Sequence, residues 1–285
     1  MSQLRRRMEE ELKLRGYSPA TIKAYVLAVR NFAKFHGRSP EQLGAEHVRA
    51  YVLHLLETLK LSRSTVNQAI CGIRFLYLHV LQRPCEVGRV VYAKRKKKLP
   101  VVLTEGEVNK LVDAAADLRD QAIVMTLYAS GLRLRELIAL RPADIDSVAM
   151  RIRVREGKGG KERYVMLSET LLDALRRYFR QYRPESSLFY GRSPQAPVSP
   201  RYVERMVVDT AVRAGVRKRV TPHVLRHSFA THLLDHNVSL RHIQELLGHR
   251  NLKTTLLYTH VSRQVLGEVV SPLDRLAVRR VETPA

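Results

Sequence analysis

Residues 223–260 read HVLRHSFATHLLDHNVSLRHIQELLGHRNLKTTLLYTH, gathering seven histidines, an arginine set among apolar residues and one tyrosine in a chain that is only 6% aromatic. Thr221 and Pro222 suit the N-cap and first position of a helix. At about 100° per residue, His223, Arg226 and Ala230 then fall on one side, and Leu225, Phe229 and Leu233 on another. The expectation is a core face and a separate face presenting an imidazole and a guanidinium. His223 and His227 also have the spacing of two metal ligands on one helical turn. No glutamate follows His223 and no clustered acidic or cysteine third ligand stands near, so metal is the weaker reading and none is expected.

In SLRHIQELLGH, Ser239 is the expected cap, Ile243, Leu246 and Leu247 the apolar stripe, and Gly248 the stop. His249 then projects from a turn, which suits a positioned site residue. Tyr258 follows nine residues later on a short amphipathic segment opened by Asn251, where alone it would read as packing. Upstream, LYASGLRLRELIAL sets Arg133 and Glu136 three apart, as neighbours on a helical face where carboxylate orients guanidinium; Arg135 has no such partner in that stretch. Two arginines, two histidines, a lysine and a tyrosine make the set that phosphoryl transfer without a metal needs. Arginine forks neutralise non-bridging oxygens as charge builds in the transition state. Histidine moves protons near neutral pH, lysine can protonate a leaving oxygen, and tyrosine can attack phosphorus. A phosphotyrosine ester keeps the energy of the broken bond, so a strand can be rejoined without ATP.

The elements that must carry these residues are mostly helical. An opening helix runs near Leu4 to Leu14. In YSPATIKAYVLAVRNFAKFHG, Ser18 caps a helix that buries Ile22, Tyr25, Val29, Phe32 and Ala33. Another runs near Ala45 to Leu59, and SRSTVNQAICGIRFLYLHVL is capped by Ser62 or Ser64, completing a small four-helix bundle. The pattern stops at Pro84. GRVVYAKRKKKLPVVL follows, with six basic residues from Arg89 to Lys98 and no acid. A second helical region opens with a capping box from Thr104 to Glu107 and continues to about Leu140. RIRVRE and ERYVML form a hairpin whose tip is Gly157, Lys158, Gly159, Gly160 and Lys161. Helices follow near Ser168 to Tyr182 and Pro200 to Ala214, separated by a proline-punctuated loop from Pro184, and three short ones lie between Thr221 and His260.

Fifty Lys and Arg against 27 acidic residues give a formal charge of +23 over 285 residues, beyond what solubility requires, and point to a polyanionic partner. No apolar run of membrane length occurs and the start lacks the apolar centre of a signal peptide, so a soluble intracellular protein is expected. Cys71 and Cys85 fit no metal or disulfide framework and suit a reducing compartment. The basic run, including Lys94, Arg95, Lys96, Lys97 and Lys98, suits a linker lying along a phosphate backbone.

SGLRLREL, GKGGKER, HVLRH, LLGH and YTHV, in that order, resemble the signatures of the tyrosine recombinases of the phage integrase and Xer type, and the likeness spans the whole chain. It implies a mainly α fold: a SAM-like helical bundle that binds core DNA (1–82), a basic linker (83–102), and a catalytic domain with a small β hairpin or sheet and a C-terminal tail (103–285). Carried over, Arg133, Arg226, Lys158, His223, His249 and the nucleophile Tyr258 are catalytic, Glu136 supports Arg133, and Lys161 on the same hairpin contacts DNA and contends with Lys158 for the lysine role. The ending VVSPLDRL resembles the tail of integron integrases, but the insertion those enzymes carry ahead of the HxxR box is missing; Xer-like resolution or mobile-element integration fits better.

The implied activity is cleavage by Tyr258 to a 3′-phosphotyrosine and a free 5′-OH with Lys158 as general acid, then exchange through a Holliday junction. Implied partners are a double-stranded recombination site held in a C-shaped clamp, a homotetramer on DNA that is monomer or dimer when free, and a possible partner recombinase, with no cofactor and no membrane. The setting would be the bacterial cytoplasm and nucleoid. Two alternatives are a type IB-like topoisomerase and a non-catalytic DNA-binding accessory protein.

Overall fold

The computed structural model describes residues 3–84, 100–155, 162–191 and 193–248. The chain divides into two compact units at Lys97 and Lys98.

The first unit is helical. Helix α1 (Gln3–Leu14) precedes α2 (Pro19–His36), whose Ser18 Oγ accepts from the Thr21 N–H (3.3 Å) and whose end is turned by Gly37. Helix α3 (Ala45–Leu53) and helix α4 (Arg63–Phe75) each run on into one wider turn, His54–Thr58 and Leu76–Val80. Of the two serines that could cap α4, Ser62 does so, accepting from the Thr65 N–H at 3.2 Å. Phe32, Leu43, Val48, Ile70 and Ile73 form one apolar core, and Met8, Leu12, Val29 and Leu76 another. A Cβ on Gly72 would lie 3.1 Å from Tyr25 backbone atoms, so the missing side chain lets α4 approach α2 closely.

In the second unit Leu103 enters the core, and the expected capping box closes α5 (Glu105–Asp113): Thr104 and Glu107 exchange two hydrogen bonds of 2.8 and 3.1 Å. Then come α6 (Leu118–Ser130) and the short α7 (Leu134–Ala139). The expected hairpin is part of a three-stranded antiparallel sheet, with β1 (Ile145–Asp146) beside β2 (Arg151–Val154) and β2 beside β3 (Arg163–Met166). Strand β1 is two residues long, too short to show an alternation in the sequence. Helices α8 (Glu169–Tyr182) and α9 (Pro200–Arg213) follow, and the loop between them carries an antiparallel bridge from Tyr190 to Pro197. Helix α10 (Pro222–Asp235) is a full fourteen residues rather than short, and α11 (Leu240–Leu247) starts at Ser239 and stops at Gly248. The third helix expected in this stretch lies outside the described residues.

Candidate active site

Gly131 ends α6, and two residues later Arg133 is the N-cap of α7. Glu136 is the third helical residue and turns its carboxylate back onto the cap. The Arg133 N–H donates to Oε2 and its Nη1 donates to Oε1, both at 2.8 Å. The pair is therefore made at the mouth of the helix and not, as expected, along its face. Arg135 points outward and is exposed.

A third group completes the arrangement. Arg163, the first residue of β3, lays a parallel fork on Glu136, Nη1 to Oε1 and Nη2 to Oε2, each 2.9 Å. Arg226 Nη1 stands 3.8 Å from Oε2. Glu136 is only 6% exposed. Burial alone would raise its pKa, but the hydrogen bonds from the Arg163 side chain and the Arg133 backbone, the charge of Arg163 and the hydrogen bond from the Arg133 side chain bring it down to about 2. One permanent anion thus holds three guanidiniums together and leaves the cluster two positive charges in excess, a field suited to a phosphodiester.

The three arginines share a second set of acceptors at the end of α11. Arg163 Nε donates to the Leu246 carbonyl (2.9 Å), Arg226 Nη2 to that of Leu247 (2.7 Å), and Arg133 Nη2 to that of Gly248 (3.3 Å). The last carbonyls of a helix lack intrahelical partners and carry its negative end, so guanidiniums satisfy both needs. Gly248 turns with φ 60°, and a Cβ there would meet the Arg163 side chain at 3.1 Å, so the turn is shaped for glycine.

Helix α10 holds the histidines. His223 lies in its first turn and is exposed, while Arg226 is 3% exposed and also donates to the Gly131 carbonyl at 2.6 Å. The expected shared face is thus split: the Gly131 turn and the end of α11 close over Arg226 and leave His223 open. Burial, then the charges of His223 and Arg226, lower the pKa of half-buried His227, favouring its neutral form. His232 binds the Leu103 carbonyl through Nε2 and Tyr128 Oη through Nδ1, both 2.8 Å, and Ser228 Oγ accepts the Leu103 N–H at 2.9 Å. Because a carbonyl only accepts, Nε2 carries the proton and Tyr128 donates to Nδ1. Burial, then the charge of Glu105, pushes the Tyr128 hydroxyl up to about 12, so it stays a donor. These bonds fix α10 to the point where the chain enters the unit.

Arg133, Glu136, His223 and Arg226 are therefore described, and the first, second and fourth are brought into contact. Lys158, Lys161, His249, Tyr258 and the run Lys94, Arg95, Lys96, Lys97, Lys98 lie outside the described residues. The hairpin that carries Lys158 is anchored at both of its described ends. Arg163 binds Glu136 on one side, and Arg155 Nε donates to buried Asp144 Oδ1 at 2.5 Å on the other. Arg163 was not singled out from the sequence, yet a signal for it exists. In ERYVML, Val165 and Leu167 are buried while Tyr164 and Met166 are exposed, so period-two alternation puts Arg163 on the inner face. A charged residue there needs a buried partner.

The profile of the Phage integrase family matches residues 101–264, which hold all of these positions except the linker lysines and Arg95, and that of a phage integrase N-terminal SAM-like domain matches residues 4–86. The chain belongs to the phage integrase family. Among the relatives of this chain, a putative integrase/recombinase y4qK of Sinorhizobium fredii is 39% identical over 287 residues, covering 100% of this chain and 92% of that one. Tyrosine recombinase XerA of Pyrococcus horikoshii is 37% identical over 264 residues, 91% of this chain and 89% of that one. In fold, this phage integrase family chain is similar to the crystal structure of XerH site-specific recombinase bound to palindromic difH substrate, with a TM-score of 0.72 at 22% identity over 93% of this chain and 83% of that one.

Proposed function

We infer that this protein is a tyrosine-type site-specific DNA recombinase, an enzyme that breaks and rejoins DNA strands. The observation that carries the reading is the family match over residues 101–264, a span that contains Arg133, Lys158, His223, Arg226, His249 and Tyr258 in the order of the motifs that resemble the family's signatures. In this reading Arg133 and Arg226 bind the non-bridging oxygens of the scissile phosphate, Arg226 by exchanging one of its carbonyl partners, Gly131 or Leu247, for the phosphate. The Tyr258 hydroxyl attacks phosphorus as its proton leaves through the histidine pair His223 and His249. The bond to the 5′ oxygen breaks, Lys158 protonates that oxygen, and the strand is held as a 3′-phosphotyrosine until a 5′-OH reverses the step. The bundle of residues 1–82 and the linker 83–102, with Lys94, Arg95, Lys96, Lys97 and Lys98, and Lys161 on the hairpin, grip duplex DNA by charge. Exchange takes place in a homotetramer on DNA in the cytoplasm, with or without a partner recombinase. Support for the DNA partner comes from the net charge of +23 and from the DNA-bound XerH relative in fold. Among the described residues no helix is long and apolar enough to cross a membrane.

The test is a nicked suicide duplex library drawn from genomic and element-end fragments, incubated in EDTA with the protein and with Tyr258→Phe. A covalent protein–DNA band that the phenylalanine variant lacks is the expected result. A band that persists in the variant moves the nucleophile elsewhere, and tight binding with no band on any fragment points to a non-catalytic DNA-binding protein.

A further inference from the structure

Arg163 has a place in this site that the phosphate-binding residues do not explain. Its Nη1 and Nη2 both face Glu136, and its Nε is occupied by the Leu246 carbonyl, so the described contacts turn its fork inward. Its side chain is 12% exposed. It is the first residue of β3 and pairs with Val154 of β2, at the base of the loop that carries Lys158. By Nε it also holds the last turn of α11, directly before His249. A guanidinium reaches three acceptors in one plane; a lysine ammonium in the same space offers a single point of charge.

We propose that Arg163 is a positioning residue: through Glu136 and the Leu246 carbonyl it locks the start of β3 and the end of α11 to the Arg133–Arg226 pair, and these are the two described ends next to which Lys158 and His249 stand in the sequence. The proposal rests on the strand-transfer reading above. Misplacement of reacting groups by about 1 Å costs on the order of 100-fold in rate, and this is the scale expected of its loss.

Two measurements test it, one of them independent of any cleavage. Hydrogen exchange on full-length Arg163→Gln and Arg163→Lys reads peptides across residues 240–248 and 162–167 against peptides of α2 and α4. Faster exchange in the first two, with the bundle peptides unchanged, is expected; unchanged exchange at 240–248 overturns the proposal whatever the enzyme does. Single-turnover cleavage of a suicide duplex is the second. Arg163→Gln should weaken DNA binding by no more than about a few-fold, through the one charge lost, and cleave bound duplex roughly 100-fold more slowly, with Arg163→Lys intermediate. On a duplex with sulfur in place of the bridging 5′ oxygen, the leaving thiolate departs without a general acid, so the deficit should shrink to a few-fold. A simple loss of folded protein would slow both substrates alike. Parental cleavage by Arg163→Gln, or an equal deficit on both substrates, overturns the proposal. Absence of a covalent band with the parent protein would sink the strand-transfer reading instead, leaving the exchange result to decide the Arg163 lock.

Discussion

The two units bury different things. Every charged side chain buried among the described residues (Asp120, Glu136, Asp144 and Arg226) lies in the second unit, whereas the first is built on Phe32, Val48, Ile70, Ile73 and their apolar neighbours. A bundle whose task is to hold a surface in shape needs only apolar burial, which is non-directional and tolerant. A site that must present guanidiniums at fixed angles needs directional bonds in a low-dielectric setting, where each unpaired member is costly. The second unit therefore carries a network that fails as a whole, and the first a core that fails by volume.

The largest effect that would break this contrast is removal of the shared anion. Glu136→Ala leaves Arg226 buried against Arg133 and Arg163 with no carboxylate, and should destabilise the second unit by about 3–5 kcal/mol. Denaturant-dependent hydrogen exchange should show it on α6, α7 and α10 peptides while α2 and α4 peptides stay as they are; an equal change in both units would erase the distinction. The same carboxylate sets an acid limit. Its pKa is lowered from 4.5 to about 2 in the folded protein, so its contribution is complete above about pH 4.5 and disappears as the pH falls toward 2. Glu136→Gln should show a shallower loss of second-unit stability across that interval, and a slope equal to the parent's would mean that other groups control the acid transition.

In the first unit Ile73→Ala should cost about 3 kcal/mol by cavity formation, read as faster exchange in α2 and α4 with no change at α7. A smaller step sharpens the comparison from the other side. Tyr77 is fully buried and its hydroxyl donates toward the Pro40 and Leu43 carbonyls at 2.9 and 3.1 Å, a polar contact inside the apolar bundle. Tyr77→Phe should cost about 1–2 kcal/mol, the value of one buried hydrogen bond. A cost near that of Glu136→Ala would show that the bundle, too, depends on a polar network.

The helices were legible from the sequence because caps and periodicity are local: Ser18, Thr104, Thr221 and Ser239 each accept a backbone N–H where a side-chain cap is expected. Order of motifs singled out Arg133, Glu136, His223 and Arg226 as candidates. What the chain did not declare was non-local. Arg226 sits under the Gly131 turn and the end of α11, and neither neighbour is predictable from helical periodicity, so it reads as presented when it is enclosed. Arg163 meets Glu136 across 27 residues, and its inward orientation is visible only once ERYVML is taken as a strand with Val165 inside.

Arginine and carboxylate alone do not make such a site, and the sheet offers the control. Arg153 on β2 contacts Glu162 at 2.8 to 3.3 Å, nearly the same contact distances as Arg163 on Glu136, but its side chains are 43% and 49% exposed against 12% and 4%. In water the attraction is screened and the ordering of two long side chains offsets it. Arg153→Gln should therefore leave the stability of the second unit close to the parent's, with high salt moving the two closer still. Should Arg153→Gln instead disturb exchange at residues 240–248 as Arg163→Gln is expected to, burial would not be what separates the two pairs, and the second unit's network would extend to its surface.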